Sequence, residues 1–370
     1  MKCSILVPCG AILAIGLTTS VHAAVITPGN LLVAQVGDGS GALSSAATPA
    51  FLKEFSSVPS SAVVQTVAIP TSGGFRSTNA GTSTSELLIT FNDGHVSVAG
   101  YDAAAGTAGI VATTSTTAPR RVLGYDIFAD LATGPAIGAT TTSFSTNNIR
   151  SSVVVNGNLY AGGSNTGQVL ITAGGSGAGT VISTTVTNTR FVQDFNDNLY
   201  FSTGSGTTRG VYQFSGEPTT TGNTSTVMIN LGGSASPYGF WLNATNDLAY
   251  IADDRTTTGG GIQKWTKTAG VWSLAYTIST DYDAAGSAPT GAHGLAVDIT
   301  GTNPLLYFTT TDGSRLGAIT DSGTQAAAEA SLTVLQVAPT NTAFRSVVIP
   351  EPGILGLMGL AGLLGLRRRR

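Results

Sequence analysis

Short runs of Val, Ile, Leu, Tyr and Phe, each roughly the length of a β-strand, recur along this chain between clusters of Gly, Asn, Asp and Thr. Helical periodicity is nearly absent. The runs come in pairs around a tight turn. In the middle of the chain Ile149-Arg150-Ser151-Ser152-Val153-Val154-Val155 leads through Asn156-Gly157 into Asn158-Leu159-Tyr160-Ala161-Gly162-Gly163. The next pair is Arg190 to Phe195, the turn Asn196-Asp197, then Asn198 to Ser202. A third pairs Tyr238 to Leu242 with Leu248 to Ile251, and a fourth pairs His293 to Val297 with Leu305 to Phe308. An earlier, weaker copy runs Glu86 to Phe91, Asn92-Asp93-Gly94, then His95 to Val98. Such Asn/Asp-Gly turns suit the positive φ of two-residue hairpins.

Third strands follow, such as Gly210 to Phe214 and Gly261 to Trp265. Fourth strands follow in turn, at Thr180 to Ser183 and Trp272 to Tyr276. Four antiparallel strands repeating about every 40 to 60 residues predict an all-β fold, a β-propeller. Counting second strands gives six blades. Seven remain open because Ala103 to Phe144 is long and weakly patterned, and a β-helix or paired sandwiches are the alternatives. The ends fit the same reading. Ala343 to Val348 looks like a first strand with no second, and Leu31 to Val36 a second with no first. With Phe51 to Phe55 and Val63 to Val67 they would form one blade that closes the ring and removes its open edges.

The two extremes are different in kind. Lys2, an apolar stretch from Ile5 to Leu17 and Val21-His22-Ala23 read as a signal peptide over residues 1–23, cleaved by signal peptidase. At the other end Pro350-Glu351-Pro352 breaks any strand, Gly353 to Leu366 carries no charge, and Arg367, Arg368, Arg369 and Arg370 close the chain. The apolar run predicts a transmembrane helix, somewhat short of the roughly 20 residues that span a bilayer comfortably. The arginines snorkel to the headgroups and hold that end cytoplasmic.

Residues 350–370 resemble the PEP-CTERM sorting signal of Gram-negative bacteria, whose pattern they meet in order. The resemblance implies recognition by an exosortase, cleavage near the Pro-Glu-Pro, a transient inner-membrane anchor, and delivery to the cell surface or extracellular matrix of a bacterium that makes exopolysaccharide. The body, residues 24–349, also resembles exported bacterial propellers that carry such tails. The similar stretches are Val36 to Ser40, Val98 to Asp102, Ser202 to Gly206 and Asn341 to Arg345. That likeness speaks for the fold and adds nothing on function.

Of 17 basic and 20 acidic residues, setting aside Lys2, the four terminal arginines and Glu351 leaves 12 and 19 in the body. A weakly acidic surface argues against nucleic-acid binding, which needs basic charge to displace counterions. Both cysteines, Cys3 and Cys9, fall in the leader, so no disulfide, thiolate or cysteine metal ligand is expected in the body. No cofactor is implied: glycine clusters such as Gly259-Gly260-Gly261 precede no helix that could hold phosphate. His95 and His293 sit on different expected blades without metal-ligand spacing. Asp253-Asp254, Asp281-Tyr282-Asp283 and Asp312-Gly313 match no calcium loop and read as solvated loop carboxylates.

The candidate binding site is positional. Arg150, Arg190, Tyr238, His293 and Arg345 each fall at the start of an expected innermost strand. In a propeller those starts meet at one mouth of the central channel. The five could grip an anionic sugar or carboxylate, or plug the channel through internal hydrogen bonds and salt bridges. The functional expectation is a non-catalytic structural or binding module. A polysaccharide lyase or glycoside hydrolase is the alternative, and it would need converging acids, or a His with Tyr or Arg, in an open cleft.

Overall fold

The computed structural model describes residues 25–129, 135–282 and 290–350. They form six four-stranded antiparallel sheets arranged as the blades of a propeller. The innermost strands of blades 1 to 6 are Ala343–Val348, Thr90–Asn92, Ile149–Val155, Val192–Phe195, Pro237–Leu242 and Ala292–Asp298. Blade 1 closes the ring from both ends of the body: Ala343–Val348 pairs with Leu31–Val36, followed by Ala50–Phe55 and Val63–Ala68. The stretch from Ala103 to Phe144 adds no seventh blade. It holds a short 3-10 turn at Ile110–Ala112 and the two outer strands of blade 2, Arg120–Asp126 and Ala136–Thr140. The expected signal peptide and apolar C-terminal helix lie outside the described residues.

The local chemistry explains the blades. Asn156 and Gly157 take φ of 50° and 77°, and Asp93 and Gly94 take 48° and 73°. Both residues of each turn are left-handed, matching the right-handed twist of the flanking strands. Second strands such as Asn198–Thr203 are buried almost throughout. Each one is sandwiched between two neighbouring blades, so both faces must be apolar. Leu199 and Phe201 pack with blade 3, and Tyr200 packs with blade 5. Six apolar clusters result, one in each gap around the ring.

An innermost strand has one edge without a ladder partner, and its buried carbonyls need other donors. Hydroxyls from neighbouring blades supply them. Ser151 Oγ donates to the Arg190 carbonyl at 2.7 Å, Ser202 Oγ to that of Tyr238 at 2.7 Å, and Thr309 Oγ1 to that of Arg345 at 3.2 Å. Thr90 Oγ1 donates to the Ser152 carbonyl at 2.7 Å, and Ser346 Oγ to that of Ile89 at 3.3 Å. Much of the Ser and Thr content of the inner strands therefore works as blade-to-blade stitching. Glycine serves the same closeness: a Cβ on Gly294 would lie 2.5 Å from Ser346 Cα in the next blade.

The expected strand from Glu86 is shorter than the sequence suggests. Glu86 to Ile89 precede the innermost strand of blade 2, which begins at Thr90. Leu87 takes φ of 60°, and the chain turns so that the Glu86 side chain is buried under the mouth of the channel.

Candidate functional site

The five sequence-selected residues meet at the mouth where the innermost strands begin. Arg150, Tyr238, His293 and Arg345 lie within the first three residues of their strands, and Arg190 lies two residues ahead of Val192–Phe195. Arg190 Cζ stacks 4.1 Å from the centre of the Tyr238 ring. The His293 ring lies 4.0 Å from the same tyrosine, centre to centre. Arg150 and Arg345 both act electrostatically on Tyr238, so all three guanidinium groups share this space.

Two carboxylates that were not selected from the sequence complete the mouth. Asp254 follows the second strand of blade 5 and reaches His293 Nε2 at 3.3 Å and Arg190 Nη1 at 4.0 Å. Glu86 accepts from Tyr101 Oη at 2.7 Å, Asn148 Nδ2 at 2.6 Å and the Ala80 amide at 2.8 Å. Three donors and no acceptor surround it, as suits a carboxylate, although burial raises its pKa. Three arginines against two carboxylates leave the mouth with one surplus positive charge.

Burial lowers the His293 pKa, so its imidazole is neutral and presents Nε2–H to Asp254. Burial pushes Asp254 upward, but hydrogen bonds from His293 and Ser236 and the nearby Arg190 outweigh it and hold the carboxylate below its ordinary range. Burial also brings Arg345 down to about 10, which leaves it cationic at neutral pH.

Every guanidinium has an internal partner. Arg345 donates to the Gly81 carbonyl at 2.8 Å, Arg150 to the Thr189 carbonyl at 2.9 Å and to Asn188, and Arg190 to Ser236 Oγ at 2.7 Å. His293, Arg345 and Tyr238 are 0 %, 3 % and 4 % exposed, whereas Arg150, Arg190 and Asp254 are half-buried and keep edges that a solute can reach. His95 is remote from the cluster: it sits beside the turn at the far end of blade 2, with Nδ1 2.7 Å from the Asp93 carbonyl. Among the described residues no three His, Cys, Asp or Glu side chains gather in a way that could hold a metal ion.

Both added carboxylates had a legible signal. Antiparallel pairing puts the end of every second strand at the mouth where the first strands start, which is where Asp254 sits. Glu86 is an acid directly ahead of the apolar run Leu87-Leu88-Ile89.

Among curated proteins none matches the chain. Similar solved structures include the periplasmic gluconolactonase of Pseudomonas aeruginosa, at 12% identity over 84% of this chain and 82% of that one, with a TM-score of 0.46. The hydrazine synthase of Kuenenia stuttgartiensis is similar at 12% identity over 90% of each chain, with a TM-score of 0.42. The computationally designed Ika8 protein is similar at 8% identity over 88% and 92%, with a TM-score of 0.37. Residues 348–370 match the PEP-CTERM protein-sorting motif, which implies export, exosortase processing and a surface or extracellular location in a Gram-negative bacterium. The chain is a six-bladed β-propeller that ends in a PEP-CTERM protein-sorting motif.

Proposed function

We propose that this protein is an exported surface or extracellular-matrix component whose propeller is a non-catalytic structural or binding module. In this reading signal peptidase removes residues 1–23. The apolar segment then anchors the chain transiently in the inner membrane until an exosortase acts at Pro350-Glu351-Pro352. Exopolysaccharide is the partner proposed for the released body. The observation that carries the reading is continuity: the motif at 348–370 begins on the last residue of the strand that closes the ring. The folded body is thereby held directly against the processing point.

The arginine mouth supports the non-catalytic part. Its ionic groups bond mainly to one another and to backbone carbonyls, as expected of a plug that fixes blade register. Arg150 and Arg190 keep partly exposed edges where a carboxylate of an acidic glycan could rest. The test is fractionation of cells making the intact chain beside a Pro350→Ala/Glu351→Ala/Pro352→Ala variant. The intact protein should reach the surface or medium in shortened form, and the variant should stay in the membrane at full length. Equal release of both would sink the sorting reading.

A second reading, a polysaccharide lyase or glycoside hydrolase at the same mouth, draws on the contact of His293 with Tyr238 and Asp254. It needs an approach to a histidine that is fully buried. Cleavage of an acidic polysaccharide by the intact chain, lost in His293→Gln with folding retained, would establish it.

A further inference from the structure

The outermost strand of each blade has one edge without a ladder partner, and such edges invite pairing unless something covers them. In four gaps the connection between the third and fourth strands of the next blade does so. In blade 3 the Gly174 amide donates to the Ile137 carbonyl of blade 2 at 2.6 Å, and the Ala139 amide donates back to the Gly175 carbonyl at 2.9 Å. In blade 4 the Asn223 amide reaches the Ile182 carbonyl of blade 3 at 3.0 Å, and in blade 1 the Ser60 amide reaches the Leu335 carbonyl of blade 6 at 2.8 Å. In blade 6 the connection is the short helix Gln325–Ala330, whose Glu329 accepts at 2.9 Å from the Ser279 amide, just past the outer strand of blade 5.

Blade 5 departs from the rule. Its third and fourth strands, Gly261–Thr268 and Val271–Ile278, are joined by Ala269 and Gly270 alone, with φ of 50° and 83°. A turn that tight cannot extend over blade 4. Among the described residues, the outer strand of blade 4, Thr226–Asn230, makes no backbone hydrogen bond to another blade, and neither does the stretch from Val271 to Ala275. Blades 4 and 5 are neighbours, so these two open edges adjoin. Val227, Val271 and Leu274 on them are 42 %, 68 % and 47 % exposed. Bulges at Met228 and Ala275 interrupt the two strands and keep any pairing short.

We propose that these adjoining edges form the contact by which the protein pairs with a second copy of itself, strand edge to strand edge. Charge names the occupant. A two-fold contact sets each residue against its own twin or that of a near neighbour, so a Lys or Glu there would meet a like charge. Open edges are ordinarily guarded by such charges, yet Thr226–Asn230 and Val271–Ile278 carry none. A foreign strand added to an edge is selected through pockets for alternate side chains. Here apolar side chains stand out from the edges instead, and a twin would bury them. The pairing depends on neither mouth of the channel.

The test is the mass of the full chain in a neutral maltoside detergent, taken by light scattering with the detergent share subtracted. At about 50 µM the protein should be a dimer, with a dissociation constant on the order of 10 µM, as suits a small interface. Val227→Lys/Leu274→Lys sets like charges across the two-fold and should raise that constant at least about tenfold. Ile299→Lys should leave it unchanged, since Ile299 is 53 % exposed but follows the innermost strand of blade 6. Both variants keep the C-terminal tail, so association through the tail would persist in both. The unmodified protein gives a check that does not depend on the variants folding. Amides in 226–230 and 271–275 should exchange hydrogen several-fold more slowly at about 100 µM than at about 1 µM, and the rest of the body should not change. A chain that stays monomeric, a dimer that Val227→Lys/Leu274→Lys leaves intact, or exchange at these edges that is independent of concentration would each overturn the proposal.

Discussion

At one end of the channel Arg150, Arg190 and Arg345 surround Glu86 and Asp254; at the other, Asp194 is surrounded by Asp93, Asp197 and Glu217. The same six strands build both ends. At the arginine end each guanidinium has at least one fixed partner within the protein, although Arg150 Nε and His293 Nδ1 are buried without one. The aspartate end is one where like charges crowd, Asp194 being raised to about 7 by burial and by Glu217, Asp197 and Asp93. Buried ionic groups with satisfied partners fix a structure but leave little for a ligand to gain. Crowded like charges are the reverse, costly to the fold. The mouths differ in the pairing of charge: cation meets carboxylate at one, and carboxylate meets carboxylate at the other.

The most severe way to break this arrangement is to remove the strand that both mouths share. A chain ending before Ala343 loses the innermost strand of blade 1, including Arg345 at one mouth and Val348 at the other. It should show no cooperative unfolding transition and rapid proteolysis. A chain ending at Pro350 should retain both the fold and the transition. Cooperative folding of the shorter chain would disprove closure by this strand.

Next in size is Glu86→Ala, which strands Tyr101 Oη, Asn148 Nδ2 and the Ala80 amide and leaves the buried Arg345 without its nearby anion. Loss of one partner from a buried ionic network costs about 3–5 kcal/mol, read as a drop in the chemical denaturation midpoint. Glu86→Gln keeps two acceptor sites on one oxygen and should cost less. Asp254→Asn should cost about 1–3 kcal/mol, because neutral His293 retains a hydrogen-bond acceptor and only the Arg190 pairing, at 4.0 Å, loses its charge. If Asp254→Asn proves as damaging as Glu86→Ala, the arginine mouth depends on the His293 pair rather than on Glu86.

How much of this was legible in the sequence differs between the mouths for a physical reason. The blades follow from strand length and turn chemistry, both local, so Asn156-Gly157 and the closing run Ala343 to Val348 could be read directly. The five residues of the arginine mouth share one position in the repeat, and the propeller reading alone brings them together. Asp254 and Glu86 stood at legible places, but which partners they take depends on folded loops. Asp253 and Asp254 are neighbours of one type, yet the first takes Arg255 at 2.8 Å and the second takes His293. The strand that seemed to begin at Glu86 is interrupted by the left-handed Leu87, which no β-propensity argument foresees. The aspartate mouth was hidden altogether. Asp194, within Val192–Phe195, reads as one polar position among many, and Asp93 and Asp197 read as ordinary turn residues.

The smallest expected effect is also the one that separates the mouths most directly, through pH. Asp194 titrates near 7 in the folded protein and near 3.8 when unfolded. Between those values the folded state holds the proton and the unfolded state has lost it, so rising pH favours unfolding. The contribution of this group is therefore most favourable below about pH 4, weakens through the interval, and levels off above about 7. His293 runs the other way: its folded pKa lies below 6.5, so its contribution is present above that pH and is lost on acidification as the unfolded state takes up a proton. Asp194→Asn removes only the first effect. Its midpoint should match that of the parent near pH 4 and exceed it above pH 7, by on the order of 1–2 kcal/mol after allowing for solvent screening of a half-buried carboxylate. His293→Gln should leave that difference unchanged. An Asp194→Asn chain no more stable than the parent at pH 8 would mean that the crowding of Asp93, Asp197 and Glu217 is relieved by solvent, and the contrast between the mouths would rest on the arginine end alone.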